Sequence, residues 1–202
     1  WFRSALADSE EAVARWCGKS VFDVLSEEAQ QAEIGSGGLF FLPYLAGERA
    51  PHTDPNARGV FIGLNLKTRK PDIVRSVLEG VAYSLRSLGD MLKEKSKTRI
   101  KEVYISGGGA ASNIWRQIFA DVFGARVRVL KYSEKGGSLG AALLAGVGIK
   151  LWKKFEDAVE KLEIVYENEY NPRSHERYEK LFKVYEKLYP ILKPAFDLIA
   201  NV

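Results

Sequence analysis

Three consecutive glycines, Gly107-Gly108-Gly109, stand between the strand-like run Glu102-Val103-Tyr104-Ile105-Ser106 and the stretch Ser112–Gly124, which reads as a helix. Glycines in that place free the backbone and leave no side chains in the way. The amides at the start of the next helix are unpaired and electropositive, and Ser112 or Asn113 is a natural N-cap. A nucleotide could be seated against such bare main chain. The run is neither G-x-x-x-x-G-K-S/T nor G-x-G-x-x-G. Taken locally, a tight strand-to-helix turn explains it better than a ligand site.

Other residues compete for attention. A second small-residue cluster, Gly136-Gly137-Ser138-Leu139-Gly140-Ala141-Ala142, fits a helix whose small face packs closely on a neighbour, and direct ligand contact is the weaker reading. If that helix supports the glycine turn, the two readings agree. The polar segment holding Glu48, Arg49, His52, Asp54 and Arg58 offers an arginine that could stabilise charge. The same segment makes a good turn, with Asp54 and Asn56 satisfying local amides, and an ion-paired structural Arg58 is favoured. Glu79, on an apolar helix, is expected to be buried with a partner. Trp115 is expected in the core in preference to a base-stacking role. Cys17 reads as a small buried apolar residue. His52 and His175 are too few and too far apart to suggest a metal site.

The elements that must position these residues alternate. Two short helices, split at Gly18, fill 1–34, and Gly35-Ser36-Gly37-Gly38 is a hinge or loop. The runs 39–47 and 60–66 read as strands, the first irregular at Pro43. A long helix covers 71–95, with Ile73, Val74, Val77, Leu78, Val81, Leu85, Leu88 and Leu92 on one apolar face. Strand 102–106, helix 112–124, strand 126–131 and a helix from Gly136 to about Leu151 follow. A short helix (155–163), an extended piece (164–167) and a long helix from about His175 complete the chain. Tyr178, Leu181, Tyr185, Leu188 and Leu192 give that last helix a face to pack on its own domain. Alternating strands and helices predict an α/β domain. Two early strands without a helix between them predict a mixed sheet.

The chain has 202 residues, enough for one well-cored domain, with 46% hydrophobic and 28% charged residues. Its net charge of +4 comes from 30 basic residues interspersed among 26 acidic ones, which argues against a nucleic-acid stripe. No apolar run is long enough to span a bilayer. One cysteine excludes an internal disulfide framework and suggests a reducing, cytoplasmic setting.

Four blocks in order, FLPYLAGERAPHTDPNARGVFIGLNL, RSVLEGVAYSLR, ISGGGAASNIWRQIFADVFGARV and GSLGAALLAG, resemble the FGGY family of carbohydrate kinases, nearest its xylulokinase branch. The stretch from Gly59 through Gly63-Leu64 to Asp72-Ile73 and Ser76-Val77-Leu78-Glu79 fits a signature pattern of that family. The resemblance implies an actin-like, ribonuclease H-like α/β fold with a mixed sheet flanked by helices. It implies transfer of the ATP γ-phosphoryl group to a sugar hydroxyl, D-xylulose first among the acceptors. It implies that 1–202 is a single domain, the second and nucleotide-binding one, with Gly107, Gly108, Gly109, Ser112 and Asn113 facing the adenosine of ATP.

The family's first-domain phosphate motif and its general-base aspartate have no counterpart here, so no catalytic residue is assigned. The ligands of Mg2+ are expected mainly in an amino-terminal kinase domain, and the chain alone is expected to be inactive. Another acceptor (glycerol, gluconate or ribulose) or a non-catalytic actin-like nucleotide-binding module are the alternatives. The sequence leaves a homodimer open.

Overall fold

The computed structural model describes residues 1–201. Three short helices open the chain: α1 (Phe2–Leu6), α2 (Asp8–Cys17) and α3 (Val21–Ala29). The break at Gly18 is where the sequence puts it, with φ 65° in the left-handed region, but a further break at Ala7 divides the first segment in two. Cys17 lies in the last turn of α2, where the chain turns away at Gly18, and it is exposed, not buried as expected. Ser20 caps α3 by accepting from Phe22 N at 3.2 Å.

Strand β1 (Phe40–Leu42) pairs antiparallel with β2 (Val60–Ile62), Phe40 opposite Ile62. Both are shorter than their apolar runs. Pro43 follows the end of β1. Gly63, at φ 102°, ends β2 where a Cβ would fall 2.3 Å from the Gly38 carbonyl oxygen.

Helix α4 (Lys70–Ser96) has Pro71 in its first turn, where the missing N–H costs nothing. It touches β1, α3, α5 and α8 (the last two bounded below). Its buried positions include Val74, Arg75, Glu79, Gly80, Ala82 and Tyr83, while Leu85 and Leu92 are exposed. The buried stripe therefore sits to one side of the face that the apolar spacing predicts. The reason is Gly80: a Cβ there would lie 2.2 Å from the Phe41 carbonyl oxygen, so α4 meets β1 backbone to backbone.

The second sheet has the order β3-β4-β5, with β3 at Glu102–Tyr104, β4 at Arg126–Leu130 and β5 at Ile164–Asn168. β3 and β4 are parallel, joined over α5 (Asn113–Phe123), and β4 and β5 are antiparallel. The sheet is mixed as predicted, but not for the predicted reason. The two early strands form a hairpin of their own, and the antiparallel member is β5. Along β4, Val127 and Val129 are buried. On the opposite face, Arg128 pairs with Glu167 at 2.7 Å and with Glu102 at 2.9 Å. Helix α6 (Gly136–Gly148) and the short α7 (Phe155–Val159) precede β5, and α8 (Pro172–Ala200) closes the chain. Asn171 caps α8, accepting from Arg173 N and Ser174 N.

The predicted face of α8 packs inward. Of it, Tyr178, Tyr185 and Leu188 are buried and Leu181 and Leu192 half-buried, with Phe182 buried beside them, and the rings of Tyr178 and Tyr185 lie 6.0 and 5.1 Å from that of Tyr83 on α4. At the same junction Glu79 is only 1% exposed. It accepts from Gly35 N at 3.0 Å, Ser36 Oγ at 2.9 Å, Arg75 Nε at 2.8 Å and the Tyr178 hydroxyl at 2.8 Å. The segment 35–38 is therefore a corner pinned at its first two residues, not a free hinge. Removing the Glu79 carboxylate strands a buried guanidinium and three further donors. Glu79→Ala should lower the unfolding free energy by about 3–5 kcal/mol in urea titrations of the protein. A loss below about 1 kcal/mol would show that the network does not hold the corner.

Candidate functional site

The parallel pair β3–β4 is where a candidate site is sought. Ligands on such pairs gather outside the carboxyl ends of the strands. β3 leaves the sheet through Ile105 and Ser106 into the glycine triplet, and β4 leaves through Lys131 and Tyr132 toward the start of α6. The two small-residue clusters of the sequence therefore follow the carboxyl ends of neighbouring strands. A mostly apolar depression of about 270 Å³ opens there, lined by Ile105 and Ser106 just before the triplet and by Leu130, Gly140, Leu143 and Phe155 among others, while the triplet itself stands outside its lining. Larger depressions, of about 500, 520 and 380 Å³, lie beside Gln117 and Asp121, beside Arg86 and Lys93, and beside Lys101, Gly124 and Arg126, away from both glycine clusters.

The three glycines do three different things. Gly107 has φ 82° and ψ −176°, a conformation open in practice only to glycine. Gly108 begins a 3-10 turn, Gly108–Ala111, and is exposed, and a Cβ added to it would meet nothing within 4 Å. Gly109 is half-buried above Trp115, and a Cβ there would fall 2.2 Å from the indole ring. Trp115 thus braces the turn from below. Its Nε1 donates to the Leu78 carbonyl of α4 at 3.2 Å, and its ring packs 5.9 Å from that of Phe119. This is the core role that the sequence favours for Trp115.

Ser112 is the N-cap of α5, accepting from Trp115 N at 3.4 Å, and its hydroxyl also meets Ser26 Oγ at 2.9 Å. Asn113 is exposed beside the turn. Its Oδ1 accepts from Arg116 Nη2 at 3.1 Å and from Asn168 Nδ2 at 3.2 Å. Of the five residues picked from the sequence, Gly107, Gly108 and Asn113 reach the surface. Gly109 and Ser112 shape the turn from within. Arg116 and Asn168 were missed. Arg116 is one helical turn from Asn113, a spacing that does place side chains together, while nothing in the sequence links Asn168 to either.

The loop at 48–59 is built otherwise than as a charged site. Asp54 is buried, accepting from Asn56 N at 2.9 Å and from the Tyr189 hydroxyl at 2.8 Å. Burial opposes ionisation of Asp54, but these hydrogen bonds and the Lys193 charge prevail and hold its carboxyl below the usual range. Burial and the bond to Asp54 push the Tyr189 phenol up to about 12. His52 stacks on Tyr189 with centroids 3.7 Å apart, and burial lowers its pKa against the pull of Glu48 and Asp54. Arg58 has no carboxylate partner among the described residues. It donates to the carbonyls of Pro55 and Ala57 at 3.0 Å, so the expected ion pair is replaced by a turn lock. His175 packs against Gly124 and bonds the Asp121 carbonyl at 2.7 Å. No group of three His, Cys, Asp or Glu side chains suited to a metal occurs among the described residues.

Helix α6 departs from close packing. Gly136, Gly137, Gly140 and Gly148 face open space, and Gly146 alone meets a neighbour, the ring of Trp152. Added methyl groups should therefore act unequally at the glycine turn. Gly109→Ala should cost about 1–3 kcal/mol in denaturant unfolding, because the indole is rigid. Gly108→Ala should stay within about 0.5 kcal/mol, and equal losses would contradict this geometry.

Residues 1–149 match the model of the FGGY family of carbohydrate kinases, C-terminal domain. The chain is 39% identical over 171 residues to a xylulose kinase of Staphylococcus epidermidis, covering 83% of this chain and 34% of that protein. It is 33% identical over 201 residues to a gluconokinase of Bacillus subtilis, covering 100% of this chain and 39% of that protein. Among solved structures, a gluconate kinase from Lactobacillus acidophilus superposes with a TM-score of 0.81 at 30% identity, over 90% of this chain and 36% of that one. A xylulose kinase from the same organism superposes with a TM-score of 0.79 at 29% identity, over 94% of this chain and 39% of that one. The chain thus spans little more than a third of the length of these relatives. The mixed sheet, the flanking helices and these superpositions place the fold in the actin-like class. The glycine turn, the capped helix after it and the small-residue helix beside it are thus parts of a known architecture, and the chain belongs to the FGGY family of carbohydrate kinases as its carboxy-terminal domain.

Proposed function

We propose that residues 1–202 form one domain, the nucleotide-holding lobe of an ATP-dependent sugar kinase that works in the reducing cytoplasm. The observation that carries this reading is the side-chain-free, exposed main chain at Gly107 and Gly108, opening beside an apolar depression at the carboxyl ends of a parallel strand pair. A purine is flat and mostly apolar on its faces, and such a slot accepts it without desolvating a charge. Asn113 supplies a polar contact at the rim.

Phosphoryl transfer is mainly positioning and charge neutralisation around an in-line geometry. This chain's share is to bind and orient the nucleoside end of ATP. Mg2+ would supply charge neutralisation on the transferring phosphate, but the residues around the depression include no carboxylate and do not fit a metal site. The metal ligands, the general base and the sugar pocket are assigned to an amino-terminal domain of a longer protein.

D-xylulose is the leading acceptor, supported by the identity to xylulose kinases. D-gluconate is the second reading, supported by a match that covers 100% of this chain and 39% of a gluconokinase and by the likeness to a gluconate kinase structure. The longer protein, given ATP, magnesium and a panel of D-xylulose, D-gluconate, glycerol and ribulose, should form one sugar phosphate, read by coupled ADP release. No product from any acceptor would leave only a non-catalytic nucleotide-binding module. In the same protein Gly108→Val should raise the KM for ATP more than the KM for sugar, since its branched side chain enters the slot without disturbing the fold. Equal rises would point to a general defect.

A further inference from the structure

Arg116 is only 5% exposed, and no carboxylate lies within 4.0 Å of its guanidinium among the described residues. Other buried ionic groups do have a counter-charge or a cap role: Glu79 has Arg75, Asp54 has Lys193, and Asp72 accepts from Arg69 N. Asp121, also 5% exposed, shares the lack of an ion pair but is met by Asn171 N at 2.7 Å and Gln117 Nε2 at 2.9 Å. Burying a cation without an anion is costly, and burial lowers the Arg116 pKa, though an arginine stays charged at any working pH. A methionine of similar length would fill the space at less cost.

The geometry says what the charge is for. Arg116 Nη1 donates to the carbonyls of Ala110 and Ala111, at 2.7 and 2.9 Å, the two residues that end the 3-10 turn begun by Gly108. Nη2 donates to Asn113 Oδ1 at 3.1 Å, and Nε to Asn168 Oδ1 at 2.9 Å. The guanidinium lies 4.1 Å from the centroid of the Tyr166 ring. Asn168 Nδ2 then returns to Asn113 Oδ1 at 3.2 Å and to Gln117 Oε1 at 3.1 Å. Two donors on one amide oxygen fix which way the Asn113 amide is turned. Its Nδ2 makes no hydrogen bond among the described residues.

We propose that Arg116 is a positioning residue for nucleotide binding, which locks the glycine turn through its carbonyls and turns Asn113 so that it offers an N–H donor to the nucleoside. This rests on the nucleotide-site reading above and adds to it a polarity and a brace. The acceptor that suits an amide donor at the rim is a ribose hydroxyl oxygen or a ring nitrogen of the base. Tyr166 and Asn168 stand on β5, beyond residue 149 where the family match ends, so the brace joins the matched region to the segment after it. Lysine could not replace the arginine: one ammonium cannot span two carbonyls, two amide oxygens and a ring face.

The test uses the longer protein with its sugar substrate. Arg116→Met should raise the KM for ATP and the Kd for ADP about tenfold or more, as expected for losing charged hydrogen bonds, with the KM for sugar unchanged. Arg116→Lys should recover only part of this. Asn113→Asp keeps the oxygen that Arg116 needs and loses the donor, so it should match Asn113→Ala in weakening ADP. Both Asn113 changes are at an exposed position and leave folding intact, so they carry the test if Arg116→Met does not fold. An Arg116→Met protein with a lowered Tm but an unchanged KM for ATP overturns the proposal, as does Asn113→Asp with unchanged ADP affinity. If Gly108→Val also leaves ADP binding untouched, the nucleotide-site reading fails as a whole. If Gly108→Val weakens ADP and the Arg116 and Asn113 variants do not, only the present inference fails.

Discussion

The carboxylate of Glu79 is the constraint around which this domain is arranged. It sits where α4, the corner at Gly35–Ser36 and α8 converge, and it takes one hydrogen bond or more from each. A buried carboxylate with four donors is held in one place, and whatever donates to it is held too. Tyr178 then fixes the rotation of α8 about its axis, and Arg75 ties the same point to the Ala32 carbonyl at 3.1 Å. With α4 and α8 set, α5 has a defined seat, because it packs on both. The glycine turn is the amino-terminal approach to α5. Its position follows from a charge network that touches no part of it.

From α5 outward the design changes from charge to shape. The Trp115 indole reaches back to the Leu78 carbonyl and forward to Gly109, so it transmits the position of α4 to the turn. Gly80 allows α4 to lie against β1 at backbone distance, and Gly109 allows the turn to lie against an indole. In both places a single methyl group would push elements apart. At Gly108 it would not, and that difference separates a glycine needed for packing from one that leaves a surface bare.

The segment after residue 149 is outside the family match but not outside the fold. β5 completes the sheet beside β4, Asn168 and Tyr166 support the turn, and α8 contributes Tyr178, Phe182, Tyr185 and Phe196 to the core. These contacts support the proposal of one unit across residues 1–202. They also tie the loop at 48–59 to α8. Its aspartate and histidine are both engaged by Tyr189 of α8, which closes the loop onto that helix.

The sequence by itself determined the class of the fold, the order of its elements, the capped helix at Ser112 and the family, because these depend on local chemistry and on ordered motifs. Glycine runs, proline placement and helical spacing are local signals, and they were legible to within a few residues for α4, α5 and α8. Strand lengths were overestimated at β1 and β2, because an apolar run records burial and not pairing. The tertiary structure alone decided that β5, and not the early hairpin, makes the sheet mixed. It alone decided that Cys17 is exposed, that Arg58 locks a turn without an ion pair, and that α6 leaves most of its glycines open. Above all it brought Arg116 together with Asn168 and Tyr166, some fifty residues away. No periodicity encodes such a meeting, since it arises only when strand pairing has set the register of β5 against β4.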